Sequence, residues 1–267
     1  IFMVAQKGLS AFFKDGVSVV EFFTGTKWDL ANTAESGLPY TGALPLIVTS
    51  FAVMVLSTLI ALPIAIGSAI FAVEISPKFG SKIFQPLIEL LTGIPSVVFG
   101  LIGFHVVVGL MKSVFHVSTG LGILPGAIVL AVMILPIITS MSRDIFMQTP
   151  RLHEEAALAL GATKWEMIRL AVLPFGKSGI VSASMLALGR ALGETMAVLM
   201  ILSPGLNYSI KLLQASQNQT IAANIAAQYP EANDLGVSTL IGTGLILFLI
   251  TFVVNFIARK LTEKASA

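Results

Sequence analysis

Apolar positions in this chain fall into long runs divided by short charged links. Ala43 to Val73 carries no charge, Ile83 to Met111 only Glu89, Gly120 to Met141 none, Ser178 to Leu202 only Arg190 and Glu194, and Leu235 to Ala258 none. Each run is near or above the roughly 20 residues that a helix needs to cross the hydrocarbon core of a bilayer. The pattern predicts an all-α, polytopic transmembrane helix bundle with five complete spans, at about 43–73, 83–111, 120–141, 178–202 and 235–258. Within the second run, Ile94-Pro95-Ser96 places a proline where it removes a helical hydrogen bond at membrane depth.

The first 42 residues read differently. Ile1-Phe2-Met3-Val4 is a short apolar stub, read as the end of a truncated first transmembrane helix. Residues 7–35 carry Lys7, Lys14, Asp15, Glu21, Lys27, Asp29 and Glu35, while Leu9, Phe12, Phe13, Val17 and Val20 share one helical face. That combination predicts an extracytoplasmic amphipathic helix on the membrane surface. Ser203 to Asp234 reads as an extracytoplasmic loop with a short helix around Thr220 to Gln228.

Composition narrows the function classes. The chain is 55% hydrophobic and 11% charged, with a mean hydropathy of +0.91, against about 25% charged for soluble domains. A net charge of +2 gives no electrostatic footprint for a nucleic acid. There is no cysteine, and His105, His116 and His153 lack metal-ligand spacing, so neither a metal site nor a catalytic residue is expected. Lipid is the one partner that composition demands. The side bearing 7–42, 112–119 and 203–234 holds five Lys and Arg, whereas the side bearing 142–177 and the C-terminus holds ten. The positive-inside rule makes the latter cytoplasmic.

That cytoplasmic loop, 142–177, is strongly punctuated. Thr149 is expected to cap a helix with Pro150 at its first position, Gly161 to end it, Thr163-Lys164-Trp165-Glu166 to open a second helix as a capping box, and Pro174 to end that one. Two short helices then form a knob whose tip carries Glu154, Glu155, Ala156 and Ala157, small enough to admit another protein's surface. Glu155-Ala156-Ala157, Gly161 and Leu173-Pro174 resemble, in identity and spacing, the EAA signature of ABC import permeases, with Ala171 where that signature most often has Ile. The resemblance implies a type I ABC importer permease fold and makes Glu154, Glu155, Ala156, Ala157 and Gly161 the residues that couple to a cytoplasmic ATPase.

Arg190 and Glu194 sit four apart in an apolar run, the spacing of an ion pair on a continuous helix. A charge at mid-bilayer costs at least about 2.5 kcal/mol on insertion scales, so such residues face a bundle interior or an aqueous path. A guanidinium there suits a tetrahedral oxyanion, with Glu194 holding it or exchanging with the ligand; a permanent pair that fixes helix packing is the alternative. Ser96 and Thr92, beside Pro95, offer further hydroxyl donors, and a kink needed only for packing is the alternative there. Glu89 reads as snorkelling or bonding locally and His105 as interfacial.

Arg190-Ala-Leu-Gly-Glu-Thr-Met-Ala-Val198, together with Leu91-Thr-Gly-Ile-Pro-Ser96, resembles the permeases of the phosphate-specific ABC importer, of the PstC type rather than the PstA type. The resemblance runs over nearly the whole chain. It implies a non-catalytic permease subunit of the bacterial inner membrane, with Arg190, Glu194, Ser96 and Thr92 along the path of phosphate. Its partners would be a homologous PstA-type permease, two copies of a cytoplasmic ABC ATPase and an extracytoplasmic phosphate-binding protein. No cofactor is expected on this chain, ATP and Mg belonging to the ATPase; the chain has no Gly-x-x-x-x-Gly-Lys-[Ser/Thr] loop. The rival readings are a permease for molybdate or sulfate, a proton-coupled secondary anion carrier using Glu194, and a membrane scaffold that recruits a regulator through the loop.

Overall fold

The computed structural model describes residues 2–33, 38–202, 212 and 219–266, and of these the side chains of 32, 33 and 261–266 are outside the description. Residues 203–211 and 213–218 of the extracytoplasmic loop expected over 203–234, and the 34–37 part of the N-terminal segment, lie outside the described residues. Helices α1 (Phe2–Phe13) and α2 (Val19–Thr24) come first, followed by strands β1 (Trp28–Thr33) and β2 (Pro39–Thr41). Then follow α3 (Leu44–Ile70), α4 (Pro77–Phe79), α5 (Gln85–Gly93), α6 (Ser96–Ile102), α7 (Val108–Phe115), α8 (Ile123–Phe146), α9 (Arg151–Ala159) and α10 (Lys164–Met167). The last four are α11 (Leu173–Gly193), α12 (Met196–Ile201), α13 (Ile221–Gln228) and α14 (Asp234–Ser266).

Among the described residues, five helices are long and apolar enough to cross a membrane: Leu44–Ile75, Ser96–Phe115, Ile123–Phe146, Lys164–Gly193 and Asp234–Lys260. Ile123–Phe146 has 67% of its apolar window buried within the protein, whereas the other four have 22–33%. The exposed side chains of Leu44–Ile75, Ser96–Phe115 and Asp234–Lys260 are largely apolar, as a bilayer or a second membrane subunit requires, whereas Lys164–Gly193 also exposes Arg169, Lys177 and Arg190. Three of these helices contain wide π turns, at Phe71–Ile75, Gly103–Val107 and Ile168–Val172.

Several predicted boundaries move. Pro95 does not merely kink a span of 83–111: Ile94 and Pro95 are extended, with ψ of 129° and 141°, so α5 is a separate helix and the membrane-length helix starts at Ser96. Pro174 does not end a helix. The wide turn at Ile168–Val172, immediately before it, carries the helix past a residue that has no N–H, and Lys164 to Gly193 is continuous. A predicted span of 178–202 instead breaks after Gly193.

Two compact sets of residues divide the chain. The first comprises Ile1–Ser57, Pro95–Leu130 and Ala191–Val253. Its core gathers Ala11, Val17, Phe22, Trp28, Ala43, Leu46, Ile221, Leu240 and Ile246. Phe22 is fully buried and meets Phe12 and Trp28 edge to face, at 5.0 and 6.4 Å between ring centres. Burial of one such ring is worth about 1.5–3 kcal/mol. The residues expected to form a surface helix divide between α1 and α2, and α1 packs against α14. A Cβ on Gly8 would meet the Gly242 backbone at 3.2 Å, while Ser10 lies against Ser238. The polar stretch that follows holds the two-stranded antiparallel ladder, with Trp28 opposite Thr41, an addition to the helical bundle. Thr220 caps α13 by accepting from the Ala223 N–H, in the place expected for a short helix.

The second set comprises Thr58–Ile94, Ala131–Arg190 and Val254–Ala267. Its core is Ala69, Ile70, Phe146, Met167, Ile168 and Val172, with Ala157, Leu173 and Ile180 packed on it. Residues from both sides of Gly161 therefore enclose one apolar centre, which seats the knob against the ends of α3 and α8.

Candidate functional site

The predicted site residues fall in three places. In the first set of residues, α6 and α12 pack tightly. A Cβ on Gly100 would come within 2.9 Å of the Ala197 Cα, and one on Gly103 would meet Ile201. As Gly100 faces Ala197 and Gly103 faces Ile201, the two helices run in the same sense. Both start directly after a break, α6 after Pro95 and α12 after Glu194-Thr195. Their N-termini, with Ser96 on one and Glu194 before the other, therefore lie at the same end of the pair. Unpaired N–H groups and the positive ends of two helix dipoles collect there, which favours negative charge. Glu194, 8% exposed, already supplies one: its Oε1 accepts from the Ala197 N–H at 3.3 Å. Half-exposed Ser96 has a hydroxyl with no hydrogen-bond partner among the described residues.

Arg190 and Thr92 belong to the second set. Arg190 stands exposed in the last turn of α11, where the negative end of the helix dipole suits a cation. The continuous helix that would have set Arg190 and Glu194 on one face stops at Gly193. Thr195 has φ −114° and ψ −61°, and the ion pairs among the described residues, Arg143–Asp144 and Lys164–Glu74, do not include Arg190 with Glu194. Glu194 instead serves the new helix end that the break creates. Thr92 donates its hydroxyl to the Ile88 carbonyl at 2.9 Å, so that proton is committed within α5. Glu89 accepts from Gln85 Nε2 at 2.6 Å, and His105 Nδ1 lies 3.0 Å from the Leu101 carbonyl; both are local helical contacts.

The knob is the third place. Thr163 and Glu166 form the expected capping box: the Thr163 N–H donates to Glu166 Oε2 at 2.7 Å and the Glu166 N–H to Thr163 Oγ1 at 3.3 Å. The predicted Thr149 cap does not form. Pro150 itself takes the cap position, and Thr149 Oγ1, buried, has no partner among the described residues. Gly161 has φ +83°, the left-handed value that lets the chain leave α9. Glu155 and Ala156 are exposed, as a docking tip requires. Ala157 is turned the other way, half-buried against the Phe146 and Met167 core. Exposed Leu152, Leu160 and Trp165, the second of them 90% exposed, widen the apolar tip beyond the motif. Sequence reading passes over them because leucines next to alanines on a short helix look like core.

Glu154 lies inside the knob's base. It lines a pocket of about 490 Å³ with Glu74, Arg143, Thr149, Arg151 and Lys164. Burial first, and the nearby Glu74 second, raise its pKa above the ordinary carboxylate value, partly offset by Lys164 and Arg151. No group of His, Asp and Glu with metal-binding potential occurs among the described residues.

Comparison with known proteins gives the class of the chain. Residues 61–266 match the family described as "Binding-protein-dependent transport system inner membrane component". The chain is 39% identical to a probable ABC transporter permease protein, YqgH, of Bacillus subtilis, over 97% of this chain and 82% of that protein. It is 38% identical to the phosphate transport system permease protein PstC 2 of Mycobacterium tuberculosis, covering 90% and 79% of the two chains. With PstC of Mesorhizobium japonicum the identity is 39%, covering 88% and 78%. Among solved structures, a chain of a bacterial ABC transporter involved in alginate import superposes with a TM-score of 0.66 at 16% identity, covering 98% of this chain and 88% of that one. A chain of the inward-facing MetNI methionine ABC transporter gives 0.61 at 16% identity, covering 84% and 94%. The family match over most of the chain, the relatives along nearly its full length and the shared helical fold lead to one assignment: this chain belongs to the binding-protein-dependent transport system inner membrane components, the multi-pass permease subunits of ABC importers.

Proposed function

We propose that this chain is a permease subunit of an ATP-driven inorganic phosphate importer. The observation that carries the substrate is the 38–39% identity to phosphate transport permeases over about nine-tenths of the chain. Two separate features support an anionic cargo: within the first set of residues two half-helices present their N-termini at one end, and within the second Arg190 carries an exposed guanidinium in the last turn of α11. In this reading Arg190 and Ser96 donate to phosphate, Glu194 yields the α12 N-terminus as the anion passes, and Thr92 holds its turn beside the Pro95 break.

The subunit pairs with a homologous PstA-type permease. Each presents its knob to one of two cytoplasmic ABC ATPases, and an extracytoplasmic phosphate-binding protein delivers the anion to the opposite side. The knob and the C-terminus face the cytoplasm, following the ten-to-five division of Lys and Arg. This chain does no chemistry; ATP and Mg sit on the ATPase, and closure of the ATPase dimer drives the knobs together and the spans between inward- and outward-open states. The exposed tip of Glu155, Ala156, Leu160 and Trp165 supports docking there, with Glu154, Ala157 and Gly161 shaping the helix that carries it.

ATP hydrolysis by the reconstituted complex tests this. Phosphate-loaded binding protein should stimulate hydrolysis and fill vesicles with phosphate, while sulfate- and molybdate-binding proteins should do neither. Uptake driven by a proton gradient with no associated ATPase would sink the proposal.

A further inference from the structure

The apolar helix that begins at Leu44 ends in the wide turn Phe71–Ile75, and this turn buries a carboxylate: Glu74 is 7% exposed. An extra residue in a helical turn rotates the side chains after it by about 100°, which brings a charge at the end of a membrane helix to face protein. Its partner comes from the knob. Lys164 Nζ lies 3.3 Å from Glu74 Oε2. Lys164 is the first residue of α10, fixed by the Thr163–Glu166 capping box three positions after Gly161 ends α9. Glu154 and Arg151 of α9 and Arg143 of α8 line the same pocket, so the end of the first span, the knob and the third span meet in one charged cluster.

The two partners are unequal. Glu74 is enclosed, whereas the Lys164 side chain is 56% exposed. Removing the lysine strands a buried carboxylate, and breaking a buried pair from that side is the costly direction; removing the carboxylate releases a lysine that water can solvate. A contact kept for stability alone could be replaced by apolar packing. Here it joins the element that faces the ATPase to a helix that lines up with the membrane.

We infer that Glu74 is a positioning residue for coupling, acting through Lys164 to tie the base of the knob to the end of the first complete span, so that displacement of the knob pulls on that helix. The word coupling rests on the importer reading above. Glu154 bounds the pair: it shares the pocket and competes for Lys164, which keeps the strut breakable during a cycle.

The test uses the full complex reconstituted in nanodiscs, with two readouts: ATP hydrolysis with and without phosphate-loaded binding protein, and amide exchange across residues 151–166. Glu74→Gln should assemble normally, raise unstimulated hydrolysis about fivefold, at the low end of typical coupling factors, and shrink stimulation by the same factor, with faster exchange in α9. Lys164→Arg should behave as wild type. Lys164→Met should be worse than Glu74→Gln, and the Glu74→Gln/Lys164→Met double variant should return to the Glu74→Gln level, including recovery of assembly if the single variant loses it. Unchanged stimulation and unchanged α9 exchange in Glu74→Gln overturn the inference, as do strictly additive effects in the double variant. If loaded binding protein fails to stimulate the wild type, the importer reading falls, and amide exchange in α9, which needs no substrate, still decides the strut.

Discussion

The knob and the intramembrane charges announce themselves in the sequence with equal force, yet they fold by different rules. In the knob, the signals are short-range and wet. The Thr163–Glu166 box and the positive φ of Gly161 form where the residue types require, because each satisfies its own backbone without help from elsewhere. In the membrane, Arg190 and Glu194 have the spacing of a helical ion pair and do not use it. The helix ends between them, and each charge settles at the helix terminus that suits its sign, Arg190 at the end of α11 and Glu194 at the start of α12. Spacing predicts a contact only while the helix is continuous. Nothing in Gly189 to Val198 contains a proline to warn of the break.

The sharpest way to break this comparison is at Arg190. If the charge serves an anion rather than Glu194, Arg190→Ala should abolish phosphate uptake, by about 100-fold or more, the equivalent of the ~3 kcal/mol carried by hydrogen bonds to charged groups. The complex should assemble in normal yield and Glu194 should keep its bond to the Ala197 N–H. Loss of assembly would return Arg190 to a packing role. Next in size is the pairing of the half-helices. Gly100→Val forces a branched side chain into the 2.9 Å space above Ala197, an overpacking that costs about 1–3 kcal/mol. Uptake and the thermal midpoint of the complex should both fall. A variant with normal midpoint and normal uptake would mean that α6 and α12 do not need their close approach.

Most of the bundle is legible in the sequence because hydrocarbon leaves few choices: a charge-free run of the right length becomes a helix. Errors gather where that constraint is satisfied in more than one way. Pro95 and Pro174 look alike as helix breakers, but the π turn at Ile168–Val172 absorbs one, and extended backbone at Ile94 and at Pro95 itself isolates the other. The N-terminal segment shows a related ambiguity. Leu9, Phe12 and Phe13 read as one apolar face, but Phe12 packs with Gly8 beside Gly242 of α14 while Leu9 and Phe13 stay exposed, a division that pattern alone does not give. Charge and motif single out Arg190, Glu194 and the EAA positions in the sequence. The strut residue Glu74 is missed because a carboxylate next to a predicted membrane boundary reads as a solvated link.

Within the knob, two substitutions separate surface from interior. Ala157→Glu puts a charge against Phe146 and Met167, and burying an unpaired polar group costs about 1–3 kcal/mol. It should loosen the knob itself, seen as faster amide exchange across α9 together with reduced ATPase co-purification. Leu160→Ser, at the exposed tip, should weaken co-purification while leaving exchange unchanged. If both variants behave alike, the inward orientation of Ala157 has no consequence for docking.

The smallest effect expected lies at Glu154 and has a definite sign. Burial, and then Glu74, raise its pKa above 4.5, so the folded knob favours the protonated carboxyl. A group whose folded value is raised contributes stability fully below its unfolded pKa and loses it as pH rises through the folded value. The knob should therefore exchange slightly faster above that range than below it, after correction for the intrinsic pH dependence of exchange. Glu154→Gln should remove this dependence and leave the Lys164–Glu74 pair without its competitor. A wild-type knob whose corrected exchange slows as pH rises would mean that attraction to Lys164 and Arg151 outweighs burial, and that Glu154 shares the strut instead of opposing it.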